Sequence, residues 1–301
     1  MQRPAVTIGV PVFNGQRYLA GALEALLSQT FEDFELLVAD NASTDGTLEL
    51  CRRVAAGDQR VRILGAEHNR GLSWNWNRLV VVARGRYFRW ACYDDLVEPT
   101  LLERCVDTLD AAGAGVVGVY PQTMEIDDAG ARLGVYGEDV DLSDPQPHRR
   151  LSELLRHLKR CNAMFSVCRT DTLRDTRLLG RYGHPDHVLL AEVALRGRLL
   201  ALPEPLFLRR IHALNSLTAH TTFGDLARLH DPTLSQRRFY PHSRLYAEHL
   251  RAIVQARLGA AETARCTAVL VRDWTLYRAM AGEVKLNLKD IAREWRAVSA
   301  G

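Results

Sequence analysis

Two adjacent carboxylates, Asp94 and Asp95, follow an apolar run that is typical of a buried strand. Neighbouring negative charges repel each other unless a positive group lies beside them. A divalent cation bound to a diphosphate is one such group, because Mg²⁺ and Mn²⁺ prefer oxygen ligands and keep substrate phosphates in their shell. The alternative is a helix N-terminus, where the helix dipole favours carboxylates, since Val97-Glu-Pro99 follows the pair. The pair alone does not decide between them.

Three other residues are of types that carry chemistry, and each has a structural alternative. Asp40 begins the polar segment Asp40-Asn-Ala-Ser-Thr-Asp-Gly46 and can accept the N–H of a pyrimidine base, or bond its own backbone in a turn. Asp186 begins a predicted helix, where a carboxylate either caps the helix or takes a proton from a hydroxyl as a general base. His212 ends a predicted strand and is a metal ligand through its neutral imidazole or a structural residue.

The elements that must position these residues alternate between apolar runs and helical periodicity. In the first third, the sequence predicts strands at Val6–Phe13, Phe34–Ala39, Val61–Leu64 and Tyr87–Cys92, with helices over 16–29, 44–56 (capped by Ser43 or Thr44) and 73–83. This order is typical of parallel βαβ units in an open, doubly wound α/β sheet. Ligands bind beyond the carboxyl ends of such strands. Polar residues follow all four predicted strands: Asn14, Asp40, Asn69 with Gly71, and Asp94 with Asp95.

The rest of the chain is less regular. The sequence predicts a strand over 116–120, a hairpin over 124–135 around Asp128-Ala-Gly130, helices over 151–159 and 186–196, an extended segment over 163–168, and short strands over 199–202 and 206–211 flanking Pro203-Glu-Pro205. Residues 139–148 are expected to form a loop, and Ala213–Thr222 either a lid over the site or a plain surface loop. Beyond about Phe223 only helices are expected, over 242–258, 260–282 and 286–298. Trp274, Tyr277, Met280 and Trp295 in these helices indicate packing rather than lipid contact.

Composition excludes several classes of protein. With 301 residues, 47% hydrophobic and 25% charged, the chain is expected to fold, and its net charge of +3 is too small to indicate a nucleic-acid partner. The six cysteines contain no CxxC pair, which indicates reduced thiols rather than disulfides or a zinc site. Neither a signal peptide nor an apolar run long enough to span a membrane is predicted. We expect a cytoplasmic protein, with peripheral attachment to a membrane surface as the alternative.

The order and spacing of several motifs resemble one family. Val10-Pro-Val-Phe-Asn14 is similar to its opening strand, and Leu37-Val-Ala-Asp-Asn-Ala-Ser-Thr-Asp-Gly46 to its second-strand segment. Asn69-Arg-Gly-Leu-Ser73 with Asn77, then Arg84-Gly-Arg-Tyr87, Asp186, Pro203-Glu-Pro-Leu206 and Arg210-Ile-His212 follow in the family's order. On these motifs, residues 5–220 resemble the family 2 glycosyltransferases, enzymes of the GT-A fold that use nucleotide-sugar donors.

The resemblance implies a Rossmann-like GT-A domain over 1–222, with a mostly parallel sheet flanked by helices, and an all-helical C-terminal extension over 223–301. The donor, a UDP-sugar first and a dTDP- or GDP-sugar as alternatives, would contact Pro11, Val12, Phe13, Asn14, Asp40, Asn69, Gly71, Asn77 and Asp94. Mg²⁺ or Mn²⁺ would be held by Asp95 and His212. Asp186 would be the base of an inverting transfer to an acceptor hydroxyl. The acceptor is not identified: a glycan, a lipid-linked sugar or a natural product would serve.

One departure from the family pattern matters more than the milder changes at Asn41 and Ala42. Many members read D-x-D-D at the acidic motif, whereas this chain has Cys92-Tyr-Asp-Asp95. The loss keeps open a non-catalytic protein that binds nucleotide-sugars. The absence of G-x-G-x-x-G argues against a dinucleotide dehydrogenase, and the absence of G-x-x-x-x-G-K-[ST] excludes a P-loop NTPase. A nucleotidyltransferase is a third interpretation, although the Gly-rich, basic signature expected after its first strand is absent. The C-terminal helices are candidates for acceptor contacts or a homodimer interface.

Overall fold

A computed structural model describes residues 3–212, 223–233 and 241–277. Within these ranges the strands are β1 (Val6–Val12), β2 (Phe34–Asp40), β3 (Val61–Leu64), β4 (Tyr87–Trp90), β5 (Leu96–Val97), β6 (Val116–Ile126), β7 (Arg132–Tyr136), β8 (Val167–Arg169) and β9 (Arg198–Arg210). The α-helices are α1 (Gln16–Leu27), α2 (Thr47–Gly57), α3 (Leu72–Val82), α4 (Leu101–Ala111), α5 (Pro147–His157), α6 (Thr170–Arg174), α7 (Pro185–Arg196), α8 (Phe223–His230), α9 (Pro241–Gln255) and α10 (Ala260–Tyr277).

The first four strands form the parallel half of one sheet, in the order β3-β2-β1-β4. This confirms the predicted βαβ repeats. β1 and β2 are buried along their whole length, as expected of parallel strands covered on both faces. In the register of this pair Val12 lies opposite Asp40, so that both strands end at the same edge. That edge is where the polar residues predicted to form a site are found.

The second half of the sheet is mixed. β8 lies between β4 and β6 and is antiparallel to both, whereas β6 and β9 are parallel. The prediction of two short strands around Pro203-Glu-Pro205 was wrong, because β9 runs without a break to Arg210. The prolines, which donate no hydrogen bond, lie where the pairing with β6 skips from Pro121–Leu202 to Thr123–Phe207.

Two local predictions also need correction. The helix expected from residue 44 begins at Thr47, with Gly46 as its N-cap and no side-chain cap, because Ser43 instead accepts the Asn14 N–H. The extended segment expected over 163–168 is a short 3₁₀-helix at Asn162–Phe165 followed by β8.

The sheet has a hydrophobic core on each face. One core packs α1 and α4 on the sheet, with Leu19 and Leu102 among its buried residues. The other packs α3, α5 and α7 and also takes in residues of α9 and α10, including Ile253 and Trp274. The division at residue 222 stays a prediction. Among the helices of the described ranges, none combines the length and apolarity needed to cross a bilayer.

Several predictions fall on residues outside the described ranges. These are the lid or loop at Ala213–Thr222, the end of the helix expected over 260–282, the helix over 286–298, and the packing of Met280 and Trp295. The side chain of Tyr277 also lies outside them.

Candidate active site

The acidic motif forms the turn between β4 and β5, at the carboxyl edge of the parallel strands. His212 follows β9 and reaches this turn, with its Nε2 atom 3.0 Å from Oδ2 of Asp94. The backbone N–H of Arg210 donates to Oδ1 of Asp95 at 2.9 Å. Ligand atoms of Asp94, Asp95 and Cys92 lie within 4.8 Å of one another, and His212 joins this group through its contact with Asp94. The fold thus brings both predicted metal residues, Asp95 and His212, beside Asp94.

Asp95 lies in an unfavourable environment for a charge. It is 9% exposed. Burial, followed by the charge of Asp94, raises its pKa to about 7, although the Arg210 N–H and the nearby Arg209 and Arg89 favour ionisation. Ionisation of Asp95 therefore has a free-energy cost that a bound cation would offset. Two carboxylates and an imidazole are a donor set that suits Mg²⁺ or Mn²⁺, so these residues fit the implied cation.

Cys92 occupies the first position of the acidic motif. Its Sγ atom lies within 4.8 Å of the carboxylates of Asp94 and Asp95. Burial and these two charges raise the pKa of the thiol well above its usual value, so it stays neutral at physiological pH. A neutral thiol is a poor ligand for Mg²⁺ or Mn²⁺, which prefer oxygen. The substitution therefore removes one negative charge from the centre.

Contacts from the N-terminal half and from the β6–β7 hairpin fix His212 and the motif. The Tyr18 ring lies 4.8 Å from the His212 ring, and its hydroxyl bonds Asp128. The Arg210 guanidinium lies over Tyr18 and donates to the carbonyl groups of Asp94, Asp127 and Asp128. Sequence reasoning missed Tyr18, Asp128 and Arg210 as support residues, because their roles depend on contacts between distant segments.

Asp40 lies at the end of β2 and is 1% exposed. Its Oδ2 atom accepts the Ser43 N–H at 3.2 Å, as in the turn predicted for this segment. No hydrogen-bond donor among the described residues reaches its buried Oδ1 atom. An unpartnered buried carboxylate oxygen is costly, and a ligand N–H would satisfy it.

The residues after β1 support the Asp40 turn. Asn14 adopts a positive φ of 51°, its backbone N–H donates to Ser43 Oγ at 2.9 Å, and its Oδ1 accepts the Thr44 N–H at 2.8 Å. Pro11 and Val12 are buried within β1, whereas Phe13 is 41% exposed at the edge. Within Pro11–Asn14, the exposed residues are therefore Phe13 and Asn14.

The third predicted group, Asn69, Gly71 and Asn77, has mainly structural contacts. Asn69 Oδ1 accepts from Asn41 Nδ2 and from the Gly71 N–H, both at 2.9 Å. Gly71 has a φ of 85°, and a Cβ there would lie 2.5 Å from the His230 carbonyl oxygen. Asn77 uses both ends of its amide on the backbone of Leu179. Their donor contacts stay predictions.

Asp186 lies in the first turn of α7 and is not its N-cap, which is His184 in a left-handed conformation. Burial by itself raises the pKa of Asp186, but the charges of His187, His184 and His230 and a hydrogen bond with Cys161 outweigh it, so the pKa is lowered. Asp186 is thus ionised at neutral pH, as a general base requires. None of these four neighbours carried a signal in the sequence, apart from the proximity of His184 and His187 along the chain.

Short chains of contacts lead from Asp186 towards Asp95 on one side and towards the residues beside Asp40 on the other. Cys161 is followed by Asn162, which accepts a hydrogen bond from Arg209, and Arg209 acts electrostatically on Asp95. On the other side, His230 approaches Gly71 of the Asn41–Asn69 cluster. These contacts run from Asp186 towards each of the other two carboxylates, and a cleft shared by Asp40, Asp95 and Asp186 stays a prediction.

Arg89 is a buried cation below the acidic motif. It is 1% exposed, and its guanidinium has no hydrogen-bond partner among the described residues. Arg89 and Asp95 line the same small gap in the packing with Cys92 and Phe207, which is too small for a water molecule. Burial lowers the pKa of Arg89 to about 10. An arginine in a strand that is otherwise apolar was the only sequence signal for it.

Comparisons with known proteins extend these observations. Residues 7–165 match the family model described as Glycosyl transferase family 2. An uncharacterized glycosyltransferase of Haemophilus influenzae is 24% identical over 213 residues, 69% of this chain and 66% of the relative. A chondroitin synthase of Escherichia coli is 32% identical over 127 residues, 42% of this chain and 18% of the relative. The chain thus spans just under two thirds of the first relative and less than a fifth of the second.

Two solved structures are similar across most of the chain. TarS (1–349) of S. aureus in complex with UDP-GlcNAc has a TM-score of 0.64 at 16% identity, covering 90% of this chain and 73% of that protein. The mannosyltransferase PcManGT of Pyrobaculum calidifontis in complex with GDP-Man and Mn²⁺ has a TM-score of 0.56 at 18% identity, covering 100% and 77%. At this identity the likeness concerns the fold.

Proposed function

Because this chain belongs to glycosyl transferase family 2 and has the GT-A fold, we propose that it transfers a sugar from a nucleoside diphosphate donor to a hydroxyl group. One observation carries the proposal: the buried, unpartnered oxygen of Asp40 and the Asp94–Asp95–His212 centre lie at the same sheet edge, separated by β1. Strands lie about 4.8 Å apart, so the ends of β2 and β4 are about 10 Å apart. A nucleoside diphosphate spans this distance between its base and its phosphates.

The base is recognised at Asp40. A carboxylate oxygen accepts the ring N–H of uracil, thymine or guanine, but finds no donor at the corresponding ring nitrogen of cytosine. We favour a UDP-sugar, with dTDP- and GDP-sugars as alternatives. The TarS complex with UDP-GlcNAc and the PcManGT complex with GDP-Man support this range of bases.

The diphosphate is held at the acidic centre. Asp95 and His212 would hold Mg²⁺ or Mn²⁺, with Asp94 beside them, and the cation would neutralise charge on the leaving nucleoside diphosphate. The centre binds the cation less tightly than a motif with three carboxylates, because Cys92 contributes no charge.

Asp186 acts on the acceptor. Its ionised carboxylate takes the proton of the acceptor hydroxyl while the hydroxyl oxygen bonds to the anomeric carbon. The bond from that carbon to the diphosphate oxygen breaks, and its electron pair leaves with the nucleoside diphosphate. Attack from the opposite face inverts the anomeric configuration. The acceptor is a glycan, a lipid-linked sugar or a natural product, and the helices after residue 222 are candidates for acceptor or homodimer contacts.

Calorimetry and a turnover assay test the proposal together. Purified protein is titrated with UDP, dTDP, GDP and CDP, with and without Mn²⁺, for the wild type and Asp95→Ala. We expect Mn²⁺-dependent binding of a base with a ring N–H, weakened in Asp95→Ala. Binding that is independent of the metal and unaffected by Asp95→Ala would refute the proposed centre.

A second candidate, a non-catalytic nucleotide-sugar-binding protein, is favoured by the neutral thiol of Cys92 in the acidic motif. Release of nucleoside diphosphate from a panel of donors and simple acceptors separates the two. Tight donor binding without turnover, including in Cys92→Asp, would favour the binding protein.

A further inference from the structure

We propose that Cys161, Asp186 and His187 form a second cation site, selective for Zn²⁺, whose occupation blocks the base. One ligand atom from each of the three residues lies within 4.8 Å of the other two. Cys161 precedes the 3₁₀-helix and the other two begin α7, so two rigid elements converge on this point. The proposal of inhibition rests on the proposed function, whereas the cation site does not.

The donor types distinguish this site from the one at Asp95. A thiolate, an imidazole and a carboxylate are the ligands that Zn²⁺ takes in proteins. Mg²⁺ and Mn²⁺ prefer oxygen, so they favour the Asp94–Asp95–His212 centre. The sequence indicated no zinc site because its cysteines contain no CxxC pair. The three ligands here come from two segments that only the fold brings together.

Charge and access also fit Zn²⁺. When Cys161 binds as a thiolate, it and the Asp186 carboxylate supply two negative charges that neutralise the ion. A neutralised ion is no longer repelled by the positive end of the α7 dipole. Cys161, Asp186 and His187 are all partly exposed, so an ion can reach them and water can complete the coordination. His184 adds a second imidazole nearby, since its ring lies 5.1 Å from that of His187.

Binding changes what Asp186 can do. In the free protein the Cys161 thiol donates to the Asp186 carboxylate. Zn²⁺ displaces the thiol proton to solvent and takes a lone pair of the carboxylate, which then no longer accepts the proton of an acceptor hydroxyl. Zn²⁺ at this site therefore inhibits transfer at the acceptor side, by a route separate from any exchange with the cation at Asp95.

Cobalt substitution tests the site without any need for turnover. Untagged full-length protein is titrated with Co²⁺, and the thiolate-to-cobalt charge-transfer absorption is recorded for the wild type, Cys161→Ser and the matched control Cys92→Ser. Cys92 also lies beside two carboxylates, so the control makes the same chemical change at the other centre. We expect the band in the wild type and Cys92→Ser, its absence in Cys161→Ser, and displacement of Co²⁺ by Zn²⁺.

His187→Gln provides a second variant in case Cys161→Ser is unstable, and we expect its Co²⁺ affinity to fall by about tenfold or more. No band in the wild type, a band that persists in Cys161→Ser, or a band lost only in Cys92→Ser would overturn the site.

Inhibition is tested separately, by Zn²⁺ titration of transfer at saturating Mn²⁺ in the wild type and Cys161→Ser. Weaker inhibition by Zn²⁺ in Cys161→Ser than in the wild type supports the proposal. Equal inhibition of the two proteins would show that Zn²⁺ does not act by blocking the base. A cobalt band in a protein that transfers no sugar would contradict the proposed function and leave the site standing.

Discussion

Replacing Asp40 with asparagine tests how the nucleotide base is read. One Asp40 oxygen already accepts the Ser43 N–H at 3.2 Å, and the other is buried without a partner. An asparagine that keeps the first bond through its carbonyl oxygen places its NH₂ group where Oδ1 was. The ring N–H of uracil then faces a second donor instead of a carboxylate, whereas the ring acceptor of cytosine gains a partner.

The size of the effect follows from the type of bond that is lost. A hydrogen bond to a charged group contributes about 1.5–3 kcal/mol, and about 1.4 kcal/mol corresponds to a tenfold change in affinity. The Kd for UDP should therefore rise by about 10- to 150-fold in Asp40→Asn. The preference for UDP over CDP should fall by at least the same factor, because CDP binding does not depend on the lost bond.

Calorimetry with UDP and CDP in the presence of Mn²⁺ measures both quantities. Asp45→Asn is the matched control, since Asp45 lies exposed on the same loop and accepts the backbone N–H groups of Thr47 and Gln16. It should leave the UDP/CDP ratio unchanged. An unaltered Kd for UDP in Asp40→Asn would refute the reasoning, and an equal loss for both nucleotides would reduce Asp40 to a support of the loop.

Three further predictions concern other parts of the molecule. Asp186→Asn should leave the Kd for UDP unchanged and lower kcat by about 10²- to 10⁴-fold, measured as nucleoside diphosphate release; a kcat near that of the wild type would remove Asp186 from the role of base. Arg177→Met should lower the free energy of unfolding by about 2–4 kcal/mol, discounted for the partial exposure of Arg177, because it deprives the buried Glu192 and Glu248 of a shared partner. Urea unfolding measures this loss. A loss near zero would contradict the prediction and would mean that the remaining partners stabilise both glutamates, Arg244 and Arg251 for Glu248 and the backbone N–H of residue 177 for Glu192. In the folded protein Asp95 has a pKa of about 7 instead of its usual 3.8, so between these values the folded state holds a proton that the unfolded state has lost. Without metal, the wild type should therefore lose stability relative to Asp95→Asn as the pH rises from about 4 to 7. Thermal unfolding across this range checks the sign, and a constant difference between the two proteins would contradict it.

The parallel half of the fold could be predicted from the sequence because its signals are local. β1 to β4 are apolar runs separated by helices with one buried face, and polar residues lie at the end of each strand or within five residues after it. The order of the mixed half could not be predicted. β8 has three residues, and its position between β4 and β6 depends on pairings with strands that are distant in the sequence.

The candidate site divides in the same way. Asp40, Asp94 and Asp95 stand at strand ends and could be recognised from position alone. The Cys161 and His230 neighbours of Asp186, the buried Arg89 and the contacts of Arg210 depend on tertiary packing. The N-cap of α2 was misjudged because Ser43 accepts the N–H of Asn14, 29 residues away, and does not cap its own helix. Only the fold decides between a local partner and a distant one.

The many bonds of Arg210 have a consequence for redesign of this protein. Its backbone N–H holds Asp95, and its guanidinium holds the tip of the β6–β7 hairpin through two carbonyl groups. A rebuilt or lengthened hairpin tip would therefore pull on the same residue that orients a predicted metal ligand. Attempts to graft a new acceptor preference onto residues 127–131 should cost donor affinity as well, so libraries aimed at acceptor choice are better directed elsewhere.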